Sequence, residues 1–329
     1  MDNDPVRIGL LGASQIAPLA VIASAAKRDD VEVVVVAARD PERAGAFAEQ
    51  HGVGRVAASY DELISDPEIN LIYNGLPPIS HATLSVSAME AGRHVLCEKP
   101  FAMNGKQARQ MVAVAERTGR ICMEGFHYFY HPLFERVLET VASGVLGSLV
   151  SLKGAFDVEI PDVEGNIRHD LALGGGALMD LGCYPLHMLR QIAGSEPIIV
   201  SARAKIGRPG IDLTMDAELA FDGVPARISC DMSTGVAIRA EIEVVGERGR
   251  LHINNPIHPY LGHQLTLTVD GRETQEQVEG RTTFDHQMDV IIDAIRSGLA
   301  VPTSGSDAIA NMEAIDAIYS AAGLHPRGL

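Results

Sequence analysis

Three side chains able to trade protons, Asp180, Tyr184 and His187, follow one another at intervals of four and three in the stretch Ala177–Arg190. At about 100° per residue a helix would carry all three on one narrow stripe, with apolar residues on its other faces. Such an alignment serves either a buried, hydrogen-bonded cluster or proton transfer to something bound beside the helix. Tyrosine titrates near pH 10 when unperturbed, so at neutral pH it needs a neighbouring positive charge to act as a base. Lys99 is the candidate for that charge. It lies in Val95-Leu96-Cys97-Glu98-Lys99-Pro100, an apolar run stopped by a charged pair and a proline. Proline cannot donate to a sheet ladder and keeps the residue before it extended. Lys99 is therefore expected at the carboxyl end of a strand, where open α/β sheets place their ligand crevice.

The elements that must position these residues begin at the N-terminus. Arg7-Ile-Gly-Leu-Leu-Gly12 reads as a short strand, and Ala13-Ser14-Gln15-Ile16-Ala17 leads into a helical pattern. The turn fits the dinucleotide fingerprint G-x-G-x-x-A, with Ser14 in the second glycine position. That glycine normally lets the backbone approach a pyrophosphate. A cofactor here either sits slightly further off or takes a hydrogen bond from the Ser14 hydroxyl. Val31–Ala38 is a β-branched run typical of a strand covered on both faces. At the end of such a strand an acid bonds a ribose 2′-hydroxyl, whereas arginine accommodates a 2′-phosphate. Ala38 holds the acid's place and Arg39 follows, with Arg43 one helical turn on. Asp40 is the counter-signal, although it is equally suited to cap a helix starting at Pro41. The balance favours NADP(H) over NAD(H).

Ile69–Gly75 is a further buried strand, and Gly75, Leu76 and Pro77 turn away from it as expected cofactor contacts. Ser80 is expected to cap the following helix, which puts His81 in its first turn facing the crevice. His94–Cys97, a helix over Asn104–Gly119 and Ile121–Glu124 continue the alternation. This series predicts an α/β fold with a doubly wound parallel sheet over residues 1–125. Residues 126–329 read differently, as an α+β domain with a large, mostly antiparallel open sheet. Its strands are Leu149–Glu159, Ile198–Ile206, Thr214–Phe221, Ala226–Met232, Ala240–Val245, Leu251–Ile253 and Leu265–Val269. Helices over Phe284–Arg296 and Asp307–Ala322 finish the chain. One face of such a sheet needs cover from helices and from a partner subunit, so a homodimer or higher homo-oligomer is expected.

Several classes are disfavoured. The 27 Lys and Arg against 43 Asp and Glu leave a net charge of −16. That is no footprint for nucleic acid, and an anionic membrane surface would repel it. His127 and His131 are four apart, but Pro132 argues against a helix through them, so no metal site is expected. Cys97, Cys122, Cys183 and Cys230 form no C-x-x-C pair and read as reduced, buried hydrophobes. No basic segment leads into an apolar stretch at the N-terminus, and no apolar run reaches about 18 residues. The expected location is cytoplasmic.

Taken in order, the Gly12–Ala17 turn, Glu98-Lys99-Pro100, Gly174–Ala177 and Asp180-x-x-x-Tyr184 resemble the glucose–fructose oxidoreductase, inositol dehydrogenase and rhizopine-catabolism (Gfo/Idh/MocA) superfamily over nearly the whole chain. Ala38-Arg39-Asp40, Leu96–Pro100 and Gly175–Tyr184 look most like dimeric dihydrodiol dehydrogenases and their sugar-oxidising relatives. The resemblance implies a nicotinamide cofactor, a substrate held over it by the second domain, and hydride transfer with a secondary alcohol carbon. Tyr184 is then the acid/base, Lys99 its electrostatic partner and a substrate anchor, and Asp180 orients Lys99 or bonds a substrate hydroxyl. His127 falls where relatives line the substrate pocket. His187 and Arg168 are further substrate candidates. Glu98 serves the nicotinamide ribose or the loop geometry, and a cis bond before Pro100 is implied. Many members carry histidine at the place of Tyr184, so this chain groups with the tyrosine type. It departs from relatives at Phe129, where arginine is frequent. The leading expectation is an NADP(H)-dependent oxidoreductase acting on a sugar, polyol or cyclic dihydrodiol. The alternatives are a glycosidase working by transient oxidation with a bound cofactor, and a non-catalytic cofactor-sensing regulator. Retention of Lys99 and Tyr184 argues against the regulator.

Overall fold

Six short apolar stretches of the N-terminal part form one parallel sheet in the computed structural model, which describes residues 4–329. They are β1 (Val6–Leu11), β2 (Val31–Ala37), β3 (Arg55–Val56), β4 (Leu71–Asn74), β5 (His94–Cys97) and β6 (Cys122–Glu124), ordered β3-β2-β1-β4-β5-β6. β1, β4 and β5 are apolar and buried along most of their length because helices cover both faces. The order reverses between β1 and β4, which is where a doubly wound sheet opens its crevice. Helix boundaries follow their caps. The Asp40 carboxylate accepts the amides of Glu42 and Arg43 at the start of Pro41–His51, and Asn104 accepts that of Gln107 ahead of Gly105–Thr118. The Ser80 side chain makes no such bond. A 3-10 turn, Pro78–Ser80, already runs into the helix His81–Glu90, so its backbone is helical and needs no side-chain cap.

The compact unit built on this sheet comprises the residues up to Phe126 together with Phe284–Ile309; the second comprises His127–Thr283 and Ala310–Leu329. The sequence division at residue 125 assigned the returning segment to the second half. Specific contacts draw it back. Lys27 reaches Asp285 at 2.7 Å and Arg28 reaches Asp289 at 2.5 Å. Thr303 accepts the Glu124 amide through its carbonyl and donates its hydroxyl to the Glu124 carbonyl, so residues 303–304 extend the sheet at β6.

In the second unit β7 (Leu149–Asp157), β8 (Ile198–Ile206), β9 (Asp212–Phe221), β10 (Val224–Asp231), β11 (Arg239–Gly246), β12 (Gly249–Asn254), β13 (Gln264–Val269) and β14 (Arg272–Glu276) form an eight-stranded sheet ordered β14-β13-β12-β11-β7-β10-β9-β8. Only β7 and β10 run parallel. Leu152, Met215, Ala217, Ile228, Ile242 and Leu251 point to the buried face, where the helix Cys183–Ala193 packs on β7. A Cβ at Gly154 would come within 2.8 Å of Pro185. The opposite face carries ion pairs such as Lys153–Glu243, Arg227–Asp216 and Arg239–Asp157. One face is thus covered by a helix, and the other carries charged side chains. Asp270 and Gly271 take positive φ (47° and 78°) in the β13–β14 turn, as a two-residue hairpin demands. None of the described helices is long and apolar enough to cross a membrane.

Candidate functional site

At the carboxyl edge of the parallel sheet each strand exit is tied to its neighbour. Gly12 donates to Ala37 O (2.8 Å), Gly75 to Leu11 O (3.2 Å), Glu98 to Asn74 O (3.0 Å) and Gly125 to Cys97 O (2.7 Å). This staircase lines up the dinucleotide turn, the Gly75–Pro77 loop and the Glu98–Pro100 segment. Gly12 sits at φ 96°, and a Cβ there would lie 2.8 Å from Leu76. At Gly75 a Cβ would meet the Tyr73 ring at 2.6 Å and Ser14 Oγ at 2.8 Å. Only glycine lets these turns approach so closely. Ser14 Oγ is buried without a hydrogen-bond partner among the described residues. An orphaned hydroxyl in a glycine turn fits a phosphate oxygen, which would accept its proton. Arg43 donates to Ala13 O at 2.9 Å, placing its guanidinium against the same turn. Arg39 is exposed. Gln15 is exposed, and Ile16 and Ala38 are half-buried.

Glu98 is fixed from two sides. The buried Tyr73 hydroxyl donates to Oε1 at 2.8 Å and the Lys99 amide to Oε2 at 3.3 Å. The Lys99–Pro100 bond is cis. Beyond it the Phe101 amide donates to Glu124 Oε1 at 2.8 Å. His81 is 1% exposed, with Nε2 2.7 Å from Leu76 O and Nδ1 2.9 Å from Pro100 O. It therefore joins the cofactor loop to the Lys99 segment from within, rather than standing at the surface. Burial pushes its pKa down.

In the second unit Tyr184 is 5% exposed and its hydroxyl lies 3.1 Å from His127 Nε2. His127 Nδ1 is 2.8 Å from Thr283 Oγ1, and the His258 ring stacks on it at 5.0 Å. His187 is fully buried and its Nδ1 pairs with the Tyr128 hydroxyl. Asp180 Oδ2 accepts from Arg168 Nε at 2.8 Å. The stripe expected from a uniform helix is not what positions these groups. Leu178–Gly182 is a π turn and the α-helix begins only at Cys183, because Pro185 has no N–H to give at α spacing. The wider turn rotates Asp180 toward Arg168 while Tyr184 and His187 both border Tyr128.

A buried cluster fixes the start of this segment. Asp212 on β9 accepts the Leu178 amide at 2.7 Å, Arg327 at 2.5 Å and the Tyr319 hydroxyl at 3.1 Å. Arg327 also donates to Gly175 O and lies over the Tyr319 ring at 4.1 Å. The glycines before the helix are explained by contact. A Cβ at Gly175 would lie 2.5 Å from the Arg168 carbonyl, and one at Gly176 would strike Asp212.

Among the residues expected from sequence, the structure thus joins His127 to Tyr184, Arg168 to Asp180, and Ser14 to Gly75. His131 caps the helix Pro132–Ala142 by accepting the Leu133 amide at Nδ1. Thr283, His258, Tyr128 and Tyr73 were not foreseen. Tyr128 had a local signal, being next to His127; the others lie far from their partners along the chain.

Two family profiles match the chain: the oxidoreductase family with NAD-binding Rossmann fold over residues 6–126, and the GFO/IDH/MocA C-terminal domain over residues 134–252. The chain belongs to the GFO/IDH/MocA oxidoreductase family. It is an NAD(P)-dependent oxidoreductase by that membership. It is 31% identical to D-xylose 1-dehydrogenase (NADP(+)) 2 of Haloferax volcanii, over 95% of this chain and 96% of that one. It is also 31% identical to trans-1,2-dihydrobenzene-1,2-diol dehydrogenase of Xenopus laevis, over 77% and 75%. Among solved structures, KijD10, a 3-ketoreductase from Actinomadura kijaniata in complex with NADP and TDP-benzene, superposes with a TM-score of 0.90 at 27% identity, covering 97% and 98%.

Proposed function

We propose that this protein is an NADP(H)-dependent oxidoreductase that interconverts a secondary alcohol and a ketone on a sugar, polyol or cyclic dihydrodiol. The nicotinamide accepts or supplies the hydride. The protein supplies the proton and the charge. Tyr184 Oη exchanges the proton of the reacting oxygen, and Lys99 stabilises negative charge as it develops there. Asp180 and Arg168, already paired, offer an acceptor and a donor to a second substrate hydroxyl. Gly12–Ile16, Gly75–Pro77 and Glu98 hold the dinucleotide, with His81 fixing the loops behind it. Arg39 and Arg43, beside Ala38, take the 2′-phosphate, a group for which the guanidinium fork is suited. His187 keeps the Tyr128 ring beside Tyr184.

The observation that carries the reading is the Tyr184 hydroxyl, buried yet hydrogen-bonded to a histidine, in a chain whose glycine turn leaves Ser14 Oγ without a partner. The named relatives support the substrate class: a D-xylose dehydrogenase, a dihydrobenzenediol dehydrogenase and a 3-ketoreductase. A screen of sugars, inositols and dihydrodiols with NADP⁺ and NAD⁺ tests it. On the substrate found, Tyr184→Phe should cut turnover by about 10³-fold while NADP(H) affinity stays within about twofold. Near-normal turnover in that variant discards the assignment. NADPH should bind more tightly than NADH; the reverse order would transfer the selecting role to Asp40. We also propose a homodimer, supported by the exposed Ile198 and Val200 on the edge strand β8, and light scattering at the mass of a monomer would refute it.

A further inference from the structure

Tyr184 is the outer member of a longer hydrogen-bonded chain. Its hydroxyl is 3.1 Å from His127 Nε2, and His127 Nδ1 is 2.8 Å from Thr283 Oγ1. Tyr184, His127 and Thr283 are 5%, 4% and 0% exposed. A neutral imidazole carries one ring proton, and a hydroxyl both donates and accepts. Two arrangements satisfy all three pairings with a single ring proton, and in one of them Nδ1–H donates to Thr283 while the Tyr184 hydroxyl donates to Nε2. In that tautomer the tyrosine proton points at a base. Imidazole ordinarily titrates near pH 6.5 and a phenol near 10, so the ring accepts a proton at neutral pH far more readily than tyrosine releases one to water.

We propose that His127 is the proton acceptor behind Tyr184, which therefore never has to persist as tyrosinate. This rests on the oxidoreductase reading above. In the oxidative direction the substrate O–H bond breaks as its proton passes to Tyr184 Oη, and the Oη–H bond breaks as that proton passes to His127 Nε2. The electron pair that the oxygen keeps from the broken O–H bond forms the C=O bond, and the C–H pair leaves with the hydride for the nicotinamide. His127 ends as imidazolium, with Nδ1–H still on Thr283; reduction runs the same transfers backwards. The groups that face His127 suit this. Tyr184 comes from the helix Cys183–Ala193, and His258 stacks on the ring from the loop after β12 at an interplanar angle of 26°. Tyr260 lies 3.3 Å from His258 Nδ1, and Tyr128 with His187 stands behind Tyr184. Two stacked imidazoles resist charging together, so the pair carries one added proton at a time.

Nitrogen NMR on histidine-labelled protein without substrate reads the pairing directly. It should show His127 neutral at pH 7.5 with its proton on Nδ1, and Tyr184→Phe should shift its titration (pH values chosen to bracket the ordinary imidazole range, about 6.5). A proton found on Nε2 overturns the relay. On the loaded enzyme His127→Gln should lower kcat by about 10²-fold with KM little changed, and activity should climb with pH toward about 10 instead of levelling off. Imidazole added to His127→Ala should restore part of the rate. Wild-type turnover and pH profile in His127→Gln, with Tyr184→Phe inactive, overturn the relay alone. Activity in both variants overturns the reading on which it rests.

Discussion

The glycine-lined edge of the parallel sheet and the tyrosine cluster of the second unit do their positioning in opposite ways. The first is made of backbone. Gly12, Gly75, Glu98 and Gly125 are aligned by amides and carbonyls of successive strands, and side chains matter there chiefly by being absent. The second is made of side chains gathered from positions 127, 184, 258 and 283, none of them joined to another by a regular ladder. A backbone site is rigid because the sheet is rigid, and it tolerates few added atoms. A side-chain site is only as precise as the packing that orients each rotamer, here the Asp212–Arg327–Tyr319 cluster at one end of the helix and Gly154 under Pro185 along it.

Four substitutions sharpen that contrast. Lys99→Ala removes a charge but leaves the Glu98 and Gly125 backbone bonds, so turnover should fall by about 10³-fold with cofactor affinity and melting temperature little changed. Equal losses in binding and turnover would mean that Lys99 belongs to the cofactor site. Asp212→Asn leaves the buried Arg327 without its counter-charge and should cost about 3–5 kcal/mol in denaturant unfolding. A cost below about 1 kcal/mol would show that the helix carrying Tyr184 is held by other means.

The parallel sheet has a pH response of its own, at the amino end of β5. His94 Nδ1 accepts the Ile121 amide at 3.1 Å, so a proton there would displace a bond. Burial, and then Arg120, push its pKa down from 6.5 to about 4. Between those values the unfolded chain takes up the proton and the folded one does not. Stability should therefore fall as pH drops from 6.5 to 4, by up to about 3 kcal/mol, and be fully present above 6.5. Unfolding midpoints of wild type and His94→Gln at either end of this range check it: an unchanged slope in the variant rules His94 out. The smallest effect belongs to Ser14→Ala. Its hydroxyl satisfies nothing in the fold, so stability should not move, whereas NADP(H) affinity should weaken by about 1 kcal/mol. Unaltered affinity in a calorimetric titration would mean that the cofactor stands clear of the serine.

How much was legible in the sequence follows the same division. Five of the six strands between Val6 and Glu124 could be read, since buried parallel strands and their glycine exits leave continuous local patterns, whereas the exposed two-residue β3 and the short helix Tyr60–Ser65 leave none. β14 was missed because Arg272-Glu-Thr-Gln-Glu is exposed and has no alternation, although the Asp270-Gly271 turn announced its partner strand. The Asp180–Tyr184–His187 stripe rested on uniform helical phase, which the π turn at Leu178–Gly182 breaks. The capping role given to Ser80 ignored the 3-10 turn in front of it.

What the sequence determined by itself was the inventory of reactive groups and the strand ends or helices that carry them: Lys99 at an exit, Tyr184 on a glycine-led helix, Arg39 after β2. These depend on local periodicity and on the conformational limits of glycine and proline. What only the tertiary structure decided was pairing. Tyr184 meets His127, Arg168 meets Asp180, and Phe284–Ile309 returns to the first unit, because burial forces polar groups to find partners wherever the packed chain brings them. That choice is made by distances in space and leaves no trace in spacing along the chain.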